Sequence, residues 1–199
     1  MLTGEMKERR TQYALGRNLA ISNEEIDALV RTSIRLSPTA FNCQGSRALV
    51  LFGEQSDQLW EIAKGALAQV VPSADFGDTE KRIDGLSAGM GTVLFFEDQQ
   101  VMREFQGKFP TYADQFPVWA DQSNGMAQLA VWTALAEVGI GASLQHYNPL
   151  IDAPVAAQWS LPETWKLRAQ MPFGSHEAPF PDKQFIPDDV RFCTVGLGR

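Results

Sequence analysis

Three short stretches concentrate the side chains that could do chemistry. Arg9-Arg10-Thr11 sets two guanidiniums and a hydroxyl beside backbone N–H groups, a set suited to a phosphate monoester. The same three residues also read as the solvated end of a short helix over residues 1–10. The second stretch, Ser37 to Ser46 (SPTAFNCQGS), is dense in small polar groups yet lies between two apolar elements. Thr39, Asn42 and Gln44 are hydroxyls and amides of the kind that bond the edge of a heterocycle, although a capped turn explains them as well. The third, Gly141-Ala-Ser-Leu-Gln-His-Tyr147, reads as a short strand or polar loop of small, hydrogen-bonding residues.

Acid–base and nucleophilic constellations are missing. Gly85-Leu-Ser87-Ala-Gly89 fits the G-x-S-x-G spacing of a nucleophile elbow, which requires a strand before the serine and a helix after it. Here the order is reversed, because the apolar run Thr92–Phe96 follows the serine. Gly89-x-Gly91 and Gly139-x-Gly141 lack the third glycine of a dinucleotide fingerprint. His176-Glu177 has no second histidine at metal-binding spacing, and His146 alone reads first as a structural histidine. A chain with polar loops and no protein nucleophile suits chemistry carried by a cofactor.

Those loops need elements to hold them. The stretch Trp119–Tyr147 organises the chain: Gly125–Ala136 carries no charge and is apolar on every face of a helical period. Such a helix is expected to be buried, and at about a dozen residues it is too short for a bilayer, which needs ~20. Asp121, Ser123 and Asn124 are its N-cap candidates, and Gly139 is its C-terminal glycine. Upstream, Ser22-Asn-Glu-Glu25 is a capping box that opens a helix with Ile26, Leu29, Val30 and Ile34 on one face, ended by Pro38. Arg47–Phe52 reads as a strand, Ser56–Val70 as a helix, Pro72–Asp78 as a loop and Glu80–Ala88 as a helix. Thr92–Phe96 reads as a strand buried on both faces, and Val101–Lys108 as a short helix. Asn148–Asp152 starts another helix, and Trp165–Met171 and Arg191–Val195 read as the last strands. About five strands among dominant helices give a single α+β or α/β domain over residues 1–199.

Composition bounds the partners. The net charge of −7, with no basic cluster beyond Lys7–Arg10, argues against nucleic acid. No run reaches membrane-spanning length, and the first ten residues lack the apolar core of a signal peptide. Cys43 and Cys193 show neither metal nor redox spacing, so they are expected to be free thiols in a cytoplasmic protein.

Taken together, RRTQY (9–13), SPTAFNCQGSR (37–47), GTVLFFED (91–98), the long run 109–152 and WKLRAQMPFG (165–174) resemble the FMN-dependent nitroreductase family, in its fatty-acid-repression-protein-like branch. The resemblance implies an α+β sandwich: a central mixed sheet flanked by helices around a long buried core helix. It implies a homodimer with FMN at the subunit interface, and Gly125–Val138 as its core and dimer-packing helix. Arg9 and Thr11, with Arg10 beside them, match phosphate and ribityl contacts. Pro38, Thr39 and Asn42 match the segment the partner subunit lays against the flavin. Ser143, Leu144, Gln145 and His146 match the loop whose backbone faces the flavin N5/O4 edge, and Lys183 matches a phosphate-binding lysine. Phe185 and Tyr13 stand where many relatives carry basic residues, which leaves the phosphate leaning on Arg9 and Arg10. The implied activity is hydride transfer from NAD(P)H to nitroaromatic or quinone-like acceptors, by ping-pong kinetics and without a protein catalytic residue. The alternative is a flavin-binding regulatory or interaction protein with incidental reductase activity.

Overall fold

The computed structural model describes residues 2–196. Its elements run α1 (Leu2–Glu8), β1 (Leu15–Gly16), α2 (Asn23–Leu36), β2 (Ser46–Phe52), α3 (Glu54–Leu67), α4 (Phe76–Ser87), β3 (Gly91–Asp98) and α5 (Gln99–Lys108). They continue with α6 (Phe116–Glu137), β4 (Gly141–Ala142), α7 (Asp152–Gln158), β5 (Trp165–His176) and α8 (Asp188–Arg191). The sheet order is β1-β5-β3-β2, with β4 also paired to β5. Every strand pair is antiparallel, and the parallel component is one bridge between Thr11 and Ala142.

Strand β3 explains the layering. All its residues are buried, as its lack of alternation predicts, and its side chains divide by period 2 between two cores. Val93 and Phe95 meet Ile26 and Val30 of α2 and Val131 and Leu135 of α6. Leu94 and Phe96 meet Leu59 and Trp60 of α3, Ile83 and Leu86 of α4, and Val155 of α7. Burying one large side chain is worth roughly 1.5–3 kcal/mol, so these two layers fix the sheet. Thr92, a polar side chain of β3 in the second core, is satisfied by Ser56 Oγ at 2.8 Å and Trp60 Nε1 at 3.0 Å.

The caps act as read from the sequence at two places. Ser22 and Glu25 close a reciprocal capping box, and Gly139 takes φ 76° to end α6. Elsewhere the boundaries move. Helix α6 starts at Phe116, with Pro117 in its first turn, so Asp121, Ser123 and Asn124 lie inside it and cap nothing. Ser123 and Asn124 are instead buried, and Asn124 Nδ2 donates to Phe96 O at 2.9 Å. Nor is α6 buried all round in one chain: Met126 and Leu129 stay 42% and 41% exposed. Helix α4 begins at Phe76 and absorbs the end of the expected 72–78 loop. Strand β5 runs on to His176. Arg191–Val195 is not a strand: α8 occupies its start, and Phe192 and Val195 are exposed without a neighbouring edge. Of the expected helix over 1–10, Leu2–Glu8 is formed and Met1 lies outside the described residues. Among the described residues no helix is long and apolar enough to cross a membrane, and no acidic, histidine or cysteine cluster suits a metal.

Candidate functional site: a cationic trough beside the β5 edge

After α1 the chain runs extended along the sheet edge. Gln12 N donates to Ala142 O at 2.9 Å. The buried Gln12 side chain donates to Ala178 O at 2.7 Å and accepts from Ala14 N at 3.1 Å. These bonds pin residues 9–14 against the segment that follows β5. Between the two lies a cleft of about 510 Å³ lined by Arg9, Arg10, Thr11, Tyr13 and Lys183, among others. Arg10 Nη2 donates to Pro181 O, and its guanidinium lies over Phe180. Lys183 Nζ sits 5.2 Å from the centre of the Phe185 ring. Phe185 therefore backs the lysine.

The Arg9 Nε is buried and has no hydrogen-bond partner among the described residues. Burial and, secondarily, the Arg10 charge pull the Arg9 guanidinium below its ordinary pKa, though an arginine remains protonated at any physiological pH. Cations held close together with unmet hydrogen-bonding capacity suit a dianionic phosphate.

Tyr13 and Ala14 also line a second cleft of about 560 Å³, whose other walls are Lys81, Arg82, Gly85 and Leu86. The two clefts meet at Tyr13 and Ala14, which line both, and the pair is called the trough. Its far end is underlain by the 143–146 loop: Arg82 Nη2 donates to Gln145 Oε1 at 3.4 Å, and Gln145 Nε2 donates to Ser143 Oγ at 3.0 Å. The loop corrects one detail of the sequence reading. Ser143 N and Gln145 N donate to Pro172 O and Gln170 O of β5, so neither can serve a ligand. Leu144 N and His146 N have no acceptor among the described residues and alternate with them along the chain. Ser143 and Gln145 are buried beneath the trough, whereas His146 is exposed.

Pro38, Thr39 and Asn42 lie elsewhere. Pro38 and Thr39 line a separate cleft of about 460 Å³ with Phe41, Trp119, Ser123 and Met126, sharing no residue with the trough. Asn42 is exposed beside it. Phe41, Asn42 and Gln44 adopt φ of 53°, 53° and 51°, a region that costs non-glycine residues energy. The loop is held there by Gln44 N donating to Thr39 Oγ1 at 3.0 Å and by Phe41 packing on Phe109, ring centres 4.6 Å apart. A single chain thus joins Arg9, Arg10, Thr11 and Lys183, sets Ser143–His146 nearby, and leaves the 38–42 segment apart.

Sequence reasoning missed Arg82, Lys81 and Gln12. Lys81-Arg82 carries no motif in the sequence, and only the docking of α4 on α3, with Ile83 and Leu86 buried in the second core, brings it to the loop. The serine of the G-x-S-x-G match ends α4, where its Oγ donates to Asp57. No strand precedes it, and the hydrolase reading falls.

A cationic cleft, a second cleft that shares its wall and an antiparallel sheet between helices are compatible with a flavin-binding reductase. The nitroreductase family model matches residues 6–175, and the chain belongs to that family. Within it the similarity runs to the branch of the Saccharomyces cerevisiae proteins HBN1, 38% identical, and nitroreductase FRM2, 33% identical. The HBN1 match covers 92% of this chain and 91% of that protein; the FRM2 match covers 89% of each. Among solved structures, nitroreductase CinD from Lactococcus lactis in complex with chloramphenicol superposes with a TM-score of 0.91 at 47% identity, covering 98% of this chain and 100% of that one.

Proposed function

We propose that this protein is an FMN-dependent oxidoreductase that moves a hydride from NAD(P)H to nitroaromatic or quinone-like acceptors. The observation that carries this reading is the trough, with Arg9, Arg10 and Lys183 at one end and Arg82 over the 143–146 loop at the other. Arg9, Arg10, Thr11 and Lys183 would hold the phosphate of FMN, and the Tyr13–Leu86 end would take its ring. When bound, FMN supplies a ring that accepts a hydride from a nicotinamide and gives it up to an electron-poor acceptor.

The chain's own part is binding and electrostatics. The N–H groups of Leu144 and His146 and the fixed charge of Arg82 would stabilise negative charge gathering at the ring's polar edge. Tyr13, exposed and shared by both halves of the trough, would separate the phosphate region from the reacting face. Nothing in the trough calls for a protein nucleophile, in keeping with donor and acceptor using the site in turn and with ping-pong kinetics. CinD structures with chloramphenicol and 4-nitrophenol support the acceptor class.

The site is completed by a second copy. Pro38, Thr39 and Asn42 lie beside an exposed apolar surface that includes Val118, Met126 and Leu129 of α6. A homodimer would cover that surface and bring the 38–42 segment to its partner's trough. Cys43 and Cys193 are free thiols, which suits the reducing cytoplasm.

The test is spectroscopic. The purified chain should be yellow with a flavin spectrum at one FMN per subunit, and anaerobic mixing with NADH or NADPH should bleach it. A flavin that neither nucleotide reduces would reject the reductase in favour of a flavin-binding protein.

A further inference from the structure

Among the cations of the trough, Arg9 is held differently from its neighbours. Arg10 is tied to the 180–181 segment by a hydrogen bond to Pro181 O, and Lys183 rests against a ring of its own segment. The Arg9 guanidinium carbon lies 4.5 Å from the ring centre of Trp132, a residue of α6 remote in sequence. Trp132 packs against the core that α6 shares with α2 and β3, so the platform is rigid. Its indole N–H is buried and unbonded among the described residues, so neither polar capacity nor solvation explains a tryptophan here.

We infer that Trp132 is a positioning residue for the anion end of the trough, stacking on Arg9 so that its guanidinium is pre-set to bind phosphate. The physical reasons are two. A free arginine on the surface loses rotamer freedom when it binds an anion, and a guanidinium already stacked has lost it beforehand. A tryptophan face is the best of the aromatic partners for a cation, and the planar guanidinium stacks on it while its edge N–H groups remain available. Burial of the Arg9 Nε also discourages retreat into solvent, since the atom's only compensation is the ring below it. The inference rests on the flavin reading above, because FMN supplies the phosphate.

The test separates phosphate from ring. FMN and riboflavin, which differ only in the phosphate, are titrated by flavin fluorescence into the full chain stripped of flavin. Trp132→Leu should weaken FMN about tenfold, the scale of one partly desolvated cation–π contact, and leave riboflavin affinity unchanged. Trp132→Phe should restore most of the loss. In Arg9→Met, where the stacked charge is gone, adding Trp132→Leu should cost nothing more for FMN. Equal losses for FMN and riboflavin, or a full additional loss in the double variant, would make Trp132 a core residue only and overturn the inference. Should Trp132→Leu fail to fold, Trp132→Met takes its place, since it fills the core without a π face: it should lose the FMN preference over riboflavin where Trp132→Phe keeps it, and a Met variant that keeps the preference overturns the inference. If the unaltered chain binds neither flavin, the flavin reading itself fails, a result distinct from the loss of preference in the variants.

Discussion

Glu97 is a carboxyl closed into the protein where β3 meets the start of β2. It is buried, Ser46 Oγ and Asn124 Nδ2 approach its Oε2 at 3.4 and 3.5 Å, and a Cβ on Gly45 would lie 2.0 Å from its Oε1. Burial outweighs these long bonds and the charges of Arg168 and Arg47, and it pushes the carboxyl from 4.5 up to about 7. The folded protein therefore holds a proton that the unfolded chain releases between those two values. Stability contributed by this group is fully present below pH 4.5 and falls as pH rises toward 7. Glu97→Gln keeps the shape and removes the charge. Its unfolding free energy in urea should match the unaltered protein near pH 4.5 and exceed it near pH 8, by up to ~3 kcal/mol at 1.36 kcal/mol per pH unit. Parallel pH profiles for the two proteins would refute the assignment. Position 97 reads from sequence only as an acid ending an apolar strand; its protonation is a consequence of what closes over it.

At the scale of elements, the end of β5 is the hinge of the site. Gly174 pairs with Gly141 of β4 and lies so close to β1 that a Cβ would sit 2.2 Å from Gly16 O. That clash is with backbone, so it cannot be relieved by a rotamer change. Gly174→Ala should cost about 1–3 kcal/mol and also weaken flavin binding, because β1 and β4 carry the flanks of residues 9–14 and 143–146. Gly65, on the exposed side of α3 with open space where a Cβ would go, is the contrast. Gly65→Ala should raise stability by roughly 0.8–1 kcal/mol through helix propensity and leave flavin affinity untouched. Thermal melts and FMN titrations of the pair check both statements. Elements whose signal is local were legible beforehand. The capping box of α2 and the continuous apolar run of β3 are legible in the sequence, because caps and periodicity are short-range. A short strand or loop is expected from Gly141, where β4 forms, but the two-residue β1 carries no periodic signal and exists only because β5 offers it an edge.

For the whole molecule, the exposed face of α6 is the feature that most needs a partner. Val118, Met126 and Leu129 leave apolar surface in solvent on the same helix whose other side forms the core, and Phe185, Ile186, Val190 and Phe192 do so on the terminal segment. The proposed homodimer would cover this face of a helix that carries no charge over two-thirds of its length yet is only partly covered in one chain. Met126→Glu together with Leu129→Glu should give a folded monomer by circular dichroism and light scattering that has lost FMN. A monomer that keeps stoichiometric FMN would contradict the shared site.

The sequence by itself determined the capping box that opens α2, the glycine that ends α6 and the two-sided burial of β3. All of these follow from residue types at short spacing. Tertiary structure decided the rest. Arg9 and Lys183 are far apart along the chain and line one cleft only because residues 9–14 and the segment after β5 are stapled together through Gln12. Arg82 reaches Gln145 only because α4 docks on α3 and sinks Ile83 and Leu86 into the second core, and Trp132 meets Arg9 only because α6 passes behind the trough. The expected N-caps of α6 became core polar groups, since Asn124 found the Phe96 carbonyl, a partner no local pattern specifies. Arg191–Val195 has the composition of a strand, but a strand needs an edge to bond to, and one chain alone provides none at that place.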